Sequence, residues 1–400
     1  MKQHPDFLIL GAGIFGLSTA IELRKRQYRV SIWNPDRIPH HLAASTDISK
    51  IVRMEYGSDE LYFEMGAKSI EGWKDWNDQF KEKLYHETGL LLLMKAGIED
   101  ARQQFEAESY RLCKSHGYAT ELLGRRDIKE RFPIINPQFY PHAHFNPVGG
   151  FVESGQTIKV LANYARELGV EVIEGQTASH FSTVNGKVVK VHSREGASQS
   201  CGTVLVAAGT YTPFLVPDLR AQMRITGHPV FHVSPRNKTL FQAEKMPVFT
   251  ADIANSGWYG FGLHPKEGVV KLARHTNGIE LHPDFDDRRV SDSEVVNFKS
   301  FLKNAFPKAA TEPLVYTRRC LYTDTLDGHF WIDYHPELAG LAVASGGSGH
   351  GMKMGPVLGP LIADMLEKKD NPHLERFRWR DLHTNTLQEE EARFVEGGKL

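Results

Sequence analysis

The stretch from Phe7 to Asn34 constrains the fold more than any other part of the chain. An apolar run at 7–10 leads into Gly11, Gly13 and Gly16. Small and apolar residues then recur on one side of a helix expected over 14–27, before a second apolar run at 29–33. Strand, glycine turn, helix and strand in that order predict the opening unit of a dinucleotide fold, an α/β architecture of the Rossmann-like kind. Without β-carbons at the turn, backbone amides and the positive end of the helix can approach a pyrophosphate. Gly11, Gly13 and Gly16, with the intervening Ile14 and Phe15, are therefore candidate nucleotide contacts. The acidic residue expected about 20 positions further on is replaced by Asn34, which can accept from a ribose hydroxyl without the help of charge.

Composition narrows the remaining options. The 400 residues carry 48 Lys plus Arg against 49 Asp plus Glu, so nothing in the net field favours nucleic acid or anionic lipid as a partner. Cys113, Cys201 and Cys320 are too few, and odd in number, for a disulfide framework, which predicts a reducing compartment and leaves Cys320 available for chemistry. No apolar run reaches the roughly 20 residues of a membrane helix, so a soluble, cytoplasmic protein is expected. The final Gly398-Lys399-Leu400 differs at one position from a peroxisomal S-K-L address and keeps that location open.

Further along, Leu61, Met65, Trp73, Trp76 and Phe80 recur at helical spacing over 59–83, a second helix is expected over 98–116, and Ser154 is expected to cap a helix running to Leu168. A strand over 170–173, an Asn185-Gly186 hairpin, and a strand over 203–209 with Gly209 open to a ligand come next. Short alternating runs between 220 and 318 predict an antiparallel meander, interrupted by one helix that a Ser291 and Glu294 capping box starts. Strands at FWID and LAVAS, a glycine loop and a helix from Pro356 follow. The expected organisation is a discontinuous nucleotide-binding domain of residues 1–60, 150–218 and 319–370. Residues 61–149 and 219–318 form a substrate domain with a mostly antiparallel sheet, and 371–400 form a tail.

Two later segments carry chemistry. In RRCLYTDTLDGHFWIDYHPE, Arg318 and Arg319 precede Cys320 and can favour its thiolate, the nucleophilic form. In SGGSGHGMK, Gly346, Gly347, Gly349 and Gly351 let the backbone pass close to a planar ring beside Lys353, and the following helix aims its positive end the same way. Together with DISKIVRMEYG, these segments resemble the sarcosine oxidase and amadoriase group of D-amino-acid-oxidase-like flavoproteins, most strongly over 7–57 and 260–355. The resemblance implies FAD joined to Cys320 as an 8α-thioether, with further cofactor contacts at Ser45, Lys50, Gly209, Gly347, Gly349, Gly351 and Lys353. It also implies that Arg53 and Lys353 grip a substrate carboxylate, that Lys271 promotes reaction with dioxygen, and that His275 belongs to the active site. Tyr259 is a candidate wall of the substrate cavity. From the residues alone, Lys271 could face solvent, Arg53 could pair with Glu55 or Asp47, and His275 could be a surface imidazole. Lys50 stands where bacterial sarcosine oxidases have arginine and is similar to a lysine of the fungal amadoriases.

The expected reaction is oxidation of a carbon–nitrogen bond in an amino acid, most favourably a secondary amine, to an imine, with dioxygen reduced to hydrogen peroxide. The alternatives are a fructosyl-amino-acid oxidase, a biosynthetic amine oxidase, and a flavin-binding sensor without turnover. A monomer or weak oligomer is expected. No metal is expected, because His142 and His144, and the pair His40-His41, lack Cys or carboxylate neighbours at ligand spacing.

Overall fold

The computed structural model describes residues 4–382 and 392–394; the Gly398-Lys399-Leu400 sequence lies outside the described residues. The opening unit forms as expected, with strand Phe7–Leu10, helix Ile14–Lys25 and strand Val30–Asn34. These strands lie at the centre of a six-stranded sheet. Thr203–Val206 and Val30–Asn34 flank Phe7–Leu10 in parallel, with Leu8 opposite both Val204 and Ser31. Leu341–Ser345 and Glu171–Glu174 extend the sheet in parallel, and Trp331–Tyr334 closes one edge antiparallel. The sheet is thus assembled from segments far apart in sequence. The central strand Phe7–Leu10 is a continuous apolar run buried at all four positions, whereas the edge strand Glu171–Glu174 is exposed at both ends.

Close approach at the glycine turn fixes helix to sheet. Gly11 has φ +111, a conformation natural to glycine, and a β-carbon there would lie 2.4 Å from the Ala207 carbonyl oxygen. At Gly16 a β-carbon would lie 2.0 Å from the Gly11 carbonyl oxygen, with no flexible side chain to yield. Gly16→Ala is expected to cost about 3 kcal/mol or more, the upper part of the overpacking range, read as a lower urea midpoint with unchanged slope.

A second sheet of nine strands carries the site. The long strand Met223–Val233 pairs antiparallel with Leu314–Thr325, placing Cys320 opposite His228, and with Val270–Arg274. Trp258–Leu263 and Val248–Ala251 continue the antiparallel meander. Its next partner, Leu90–Met94, is parallel and comes from outside the predicted meander. Alternation along a strand reports which side is buried, not the direction of the partner, so this pairing is invisible to periodicity. The capping box at Ser291 and Glu294 forms and starts the helix Asp292–Ala305. Ser154, by contrast, is the first residue of its helix rather than its cap, and its hydroxyl donates to the Asp47 carbonyl oxygen at 2.8 Å. That bond ties the helix to the segment preceding Lys50. No helix among the described residues is long and apolar enough to cross a membrane.

Candidate active site

The predicted residues fall into two groups. The first surrounds the start of helix Ile14–Lys25. Asn34 Oδ1 accepts from the Ala12 amide at 3.1 Å, and Ser45 Oγ accepts from the Ile14 amide at 3.1 Å. Both polar side chains therefore brace the glycine turn. The strand expected over 203–209 stops at Val206, and Gly209, with φ +53 and open space where a β-carbon would be, begins a short 3-10 turn just beyond it. Phe15 reaches from this turn to the later glycine loop, where a β-carbon on Gly351 would lie 2.7 Å from its ring and one on Gly347 would lie 3.4 Å away.

The second group lines an open cavity of about 550 Å³. Lys50, Arg53, Tyr259, His275, Gly349 and Lys353 meet there, from four separate segments, together with Tyr322, His350, Ile253 and Met352. Among the described residues the lining contains no carboxylate. Gly349, with φ +76, brings its loop against the wall so closely that a β-carbon would lie 2.6 Å from Tyr322 and 3.2 Å from the His275 ring. The Tyr259 and Tyr322 hydroxyls are 3.5 Å apart, and burial pushes both phenols above their ordinary pKa. Both are therefore hydrogen-bonding groups at neutral pH rather than bases.

Cys320 is buried, and Lys50 Nζ lies 3.8 Å from its sulfur. Burial opposes the charge on Lys50, but Cys320 and Asp47 together hold its pKa above the ordinary value. The cations expected to serve the thiol are placed differently. Arg319 points to the opposite side of its strand and forms an ion pair with Glu294, with Nη1 to Oε1 at 2.9 Å. Arg318 donates to the Thr46 carbonyl oxygen at 2.7 Å. Strand alternation turns Arg319 away and Arg318, on the same side as Cys320, bonds a main-chain oxygen, while Lys50, 270 positions away, lies in contact with the sulfur.

Lys271 faces neither solvent nor the cavity. It is 2 % exposed, and its Nζ donates to Asp47 Oδ2 at 2.7 Å and to the Ser49 carbonyl oxygen. Burial pushes its pKa down to about 8, with Asp47 opposing and Lys50 adding to the fall. Burial of the Asp47 carboxyl is outweighed by Lys271, Lys50 and Arg318, which hold it well below the usual carboxylate range. Asp47 thus joins Lys271 to Lys50, whose Nζ is 4.0 Å from the same oxygen. Glu55 accepts from Asn146 Nδ2 at 2.7 Å and from the Met54 amide at 3.1 Å, and burial raises its pKa while the nearby Arg53 charge opposes the rise; Asp47 pairs with Lys271.

His144 does acquire a cysteine and a carboxylate as neighbours, because Cys113 and Glu55 converge on it from distant segments, with the three candidate ligand atoms within 4.8 Å. The Asn146 amide, however, aims its N–H groups at both Glu55 and Cys113, which suits a hydrogen-bonded cluster rather than a cation. Tyr322, Tyr56, His350 and Asp47 are site residues that sequence reasoning did not assign. Tyr322 had a usable signal, since it lies two positions after Cys320 in a strand and so shares its side.

Comparison with known proteins agrees with this geometry. The sequence profile described as FAD dependent oxidoreductase matches residues 6–365. The chain belongs to that family. Among its relatives, a monomeric sarcosine oxidase of Bacillus sp. (strain B-0618) is 28% identical over 91% of this chain and 93% of its own. An L-saccharopine oxidase of Schizosaccharomyces pombe is 28% identical over 94% and 93%, and a peroxisomal sarcosine oxidase of Homo sapiens is 27% identical over 92% and 93%. In structure, Amadoriase I from Aspergillus fumigatus superposes with a TM-score of 0.81 at 23% identity, covering 99% of this chain and 95% of that one, which establishes a shared fold. The residues of this FAD dependent oxidoreductase fit the cofactor. A glycine turn that admits no β-carbon at Gly11 or Gly16 begins the first helix, and a separate cavity has a cationic lining in which Lys50 touches the buried Cys320.

Proposed function

We propose that this protein oxidises the carbon–nitrogen bond of an amino acid, most favourably a secondary amine, to the imine, with dioxygen reduced to hydrogen peroxide. The observation that carries the reading is the convergence of Lys50, Arg53 and Lys353 on one cavity. Such a cavity selects an anion, and a carboxylate meets Arg53 and Lys353 with charge-assisted hydrogen bonds. Bound flavin supplies the two-electron acceptor for the substrate and the donor to dioxygen. The chain's residues do the rest. Arg53 and Lys353 hold the substrate by its carboxylate, which sets the carbon beside nitrogen in a fixed place. The surrounding positive charge disfavours an ammonium, so the amine is held in the neutral form that oxidation requires. Tyr259, Tyr322 and His275 wall the cavity and limit its water.

Cys320 is proposed to carry the flavin covalently, with Lys50 in contact with its sulfur. Gly11, Gly13, Gly16, Ser45, Asn34 and Gly209 are proposed to hold the nucleotide end, and the loop from Gly347 to Lys353 the ring. Lys271 is proposed to serve the reaction with oxygen.

Arg53→Met and Lys353→Met are each expected to raise KM for a carboxylate-bearing amine roughly 10- to 150-fold, the equivalent of losing one hydrogen bond to a charged group. A peroxide-coupled assay with sarcosine, other N-methyl amino acids, pipecolate, saccharopine and fructosyl-valine tests the reading. Turnover of carboxylate-bearing secondary amines is expected. Turnover of fructosyl-valine alone would transfer the assignment to a deglycating oxidase, which the lysine at position 50 resembles.

A further inference from the structure

We propose that Tyr56 is the positioning residue that fixes both cations of the carboxylate clamp, an inference that rests on the clamp reading above. Arg53 and Lys353 come from segments 300 positions apart in sequence yet converge on the same ring. The Arg53 guanidinium carbon lies 4.5 Å from the Tyr56 ring centroid and Lys353 Nζ lies 4.9 Å from it. The Arg53 guanidinium is attracted by the negative face of the ring, whereas Lys353 meets the same residue at its hydroxyl end, so one side chain holds both cations by different means. Tyr56 is buried, and Tyr62 backs it in a stacked arrangement with centroids 4.9 Å apart.

The hydroxyl adds direction. A carbonyl oxygen can only accept, so the 3.0 Å contact between His350 Nε2 and the Gly328 carbonyl oxygen places the proton on Nε2. Nδ1 then carries a lone pair, and Tyr56 Oη, 3.1 Å away, donates to it. With its proton committed to His350, the Tyr56 oxygen presents its lone pairs to Lys353 Nζ, which donates to it at 3.0 Å. His350 is fixed in turn by stacking on Phe330 with centroids 4.7 Å apart. The main chain at Lys353 is anchored by Trp73 Nε1, which donates to its carbonyl oxygen at 2.8 Å, and by the Ser69 hydroxyl. The ammonium of Lys353 is thereby aimed by a chain of groups that all point one way: Gly328, His350, Tyr56, Lys353.

The test uses the flavin-loaded enzyme and a probe that binds without being oxidised, (methylthio)acetate, titrated under anaerobic conditions by the change in visible absorbance, with its methyl ester as the neutral control. Tyr56→Phe, which keeps the ring, is expected to weaken (methylthio)acetate about tenfold and to raise KM for a carboxylate-bearing amine by the same factor, with kcat within about twofold. Tyr56→Leu is expected to weaken both about a hundredfold, and the ester is expected to bind all variants like the parent. Should Tyr56→Leu fail to fold, the near-isosteric Tyr56→Phe decides the matter alone. Lys353→Met separates the two readings. If it leaves (methylthio)acetate binding unchanged, the clamp itself is wrong. If it weakens binding while Tyr56→Phe matches the parent, or if Tyr56→Phe weakens acid and ester alike, the positioning role of Tyr56 is overturned.

Discussion

In Lys271→Met, the reduced enzyme is expected to react with dioxygen on the order of 10²–10³ times more slowly, while reduction by substrate under anaerobic conditions is expected to stay close to the parental rate. That magnitude is typical for removing one fixed group that stabilises developing charge in a dry site. Oxygen is neutral when it arrives and anionic after its first electron, so a cation held in place favours the product of that step. Lys271 is suited to this role because Asp47 and the Ser49 carbonyl oxygen hold it rigidly at 2 % exposure. Its depressed pKa of about 8 gives the prediction a pH signature. The lysine is charged below that value and neutral above it, so the oxygen rate constant of the parent falls as pH rises through about 8. In Lys271→Met it is low and flat. Asp47→Asn removes the carboxylate that favours the charged lysine, and so moves the fall to lower pH. Stopped-flow mixing of reduced enzyme with oxygenated buffer across this range measures all three. A Lys271→Met protein with the parental rate would remove Lys271 from the account.

The second large effect is all-or-none. Cys320→Ala, precipitated in acid and washed, is expected to leave a colourless pellet, whereas the parent pellet is expected to stay yellow and its peptide around residue 320 to carry the added mass of FAD. Native Cys320→Ala still binds FAD, because the glycine turn at Gly11, Gly13 and Gly16 is untouched by the change. A parent pellet without colour would refute the covalent attachment but not the binding of FAD.

The nucleotide end of this protein was legible in the sequence because its determinants are local. Gly11, Gly13 and Gly16 follow directly on the strand they serve, and the helix and second strand come immediately after. The cavity is different. Lys271 meets Asp47 across 224 positions, Lys50 meets Cys320 across 270, and Lys353 meets Tyr56 across 297. No periodicity reports such contacts, so Arg53, Lys353, Lys271 and His275 were accessible only through family resemblance. Roles that depend on the contacts themselves stayed hidden, including Asp47 as partner of two lysines and Tyr56 as support of the clamp. Of the two arginines expected to serve the thiol, Arg319 is turned away because side chains alternate along a strand and it faces Glu294, whereas Arg318 shares the side of Cys320 but spends its guanidinium on the Thr46 carbonyl oxygen.

Anaerobic titration of the yellow protein with a carboxylate-bearing secondary amine, sarcosine or pipecolate first, is the most direct test of a cationic cavity that delivers an anionic amine to a flavin. The account predicts that the visible absorbance bleaches, that admitting air restores it with one peroxide per flavin, and that the matching amine without a carboxylate does neither. Absorbance unmoved by every carboxylate-bearing amine, or bleached equally well by amines that lack the carboxylate, would contradict it.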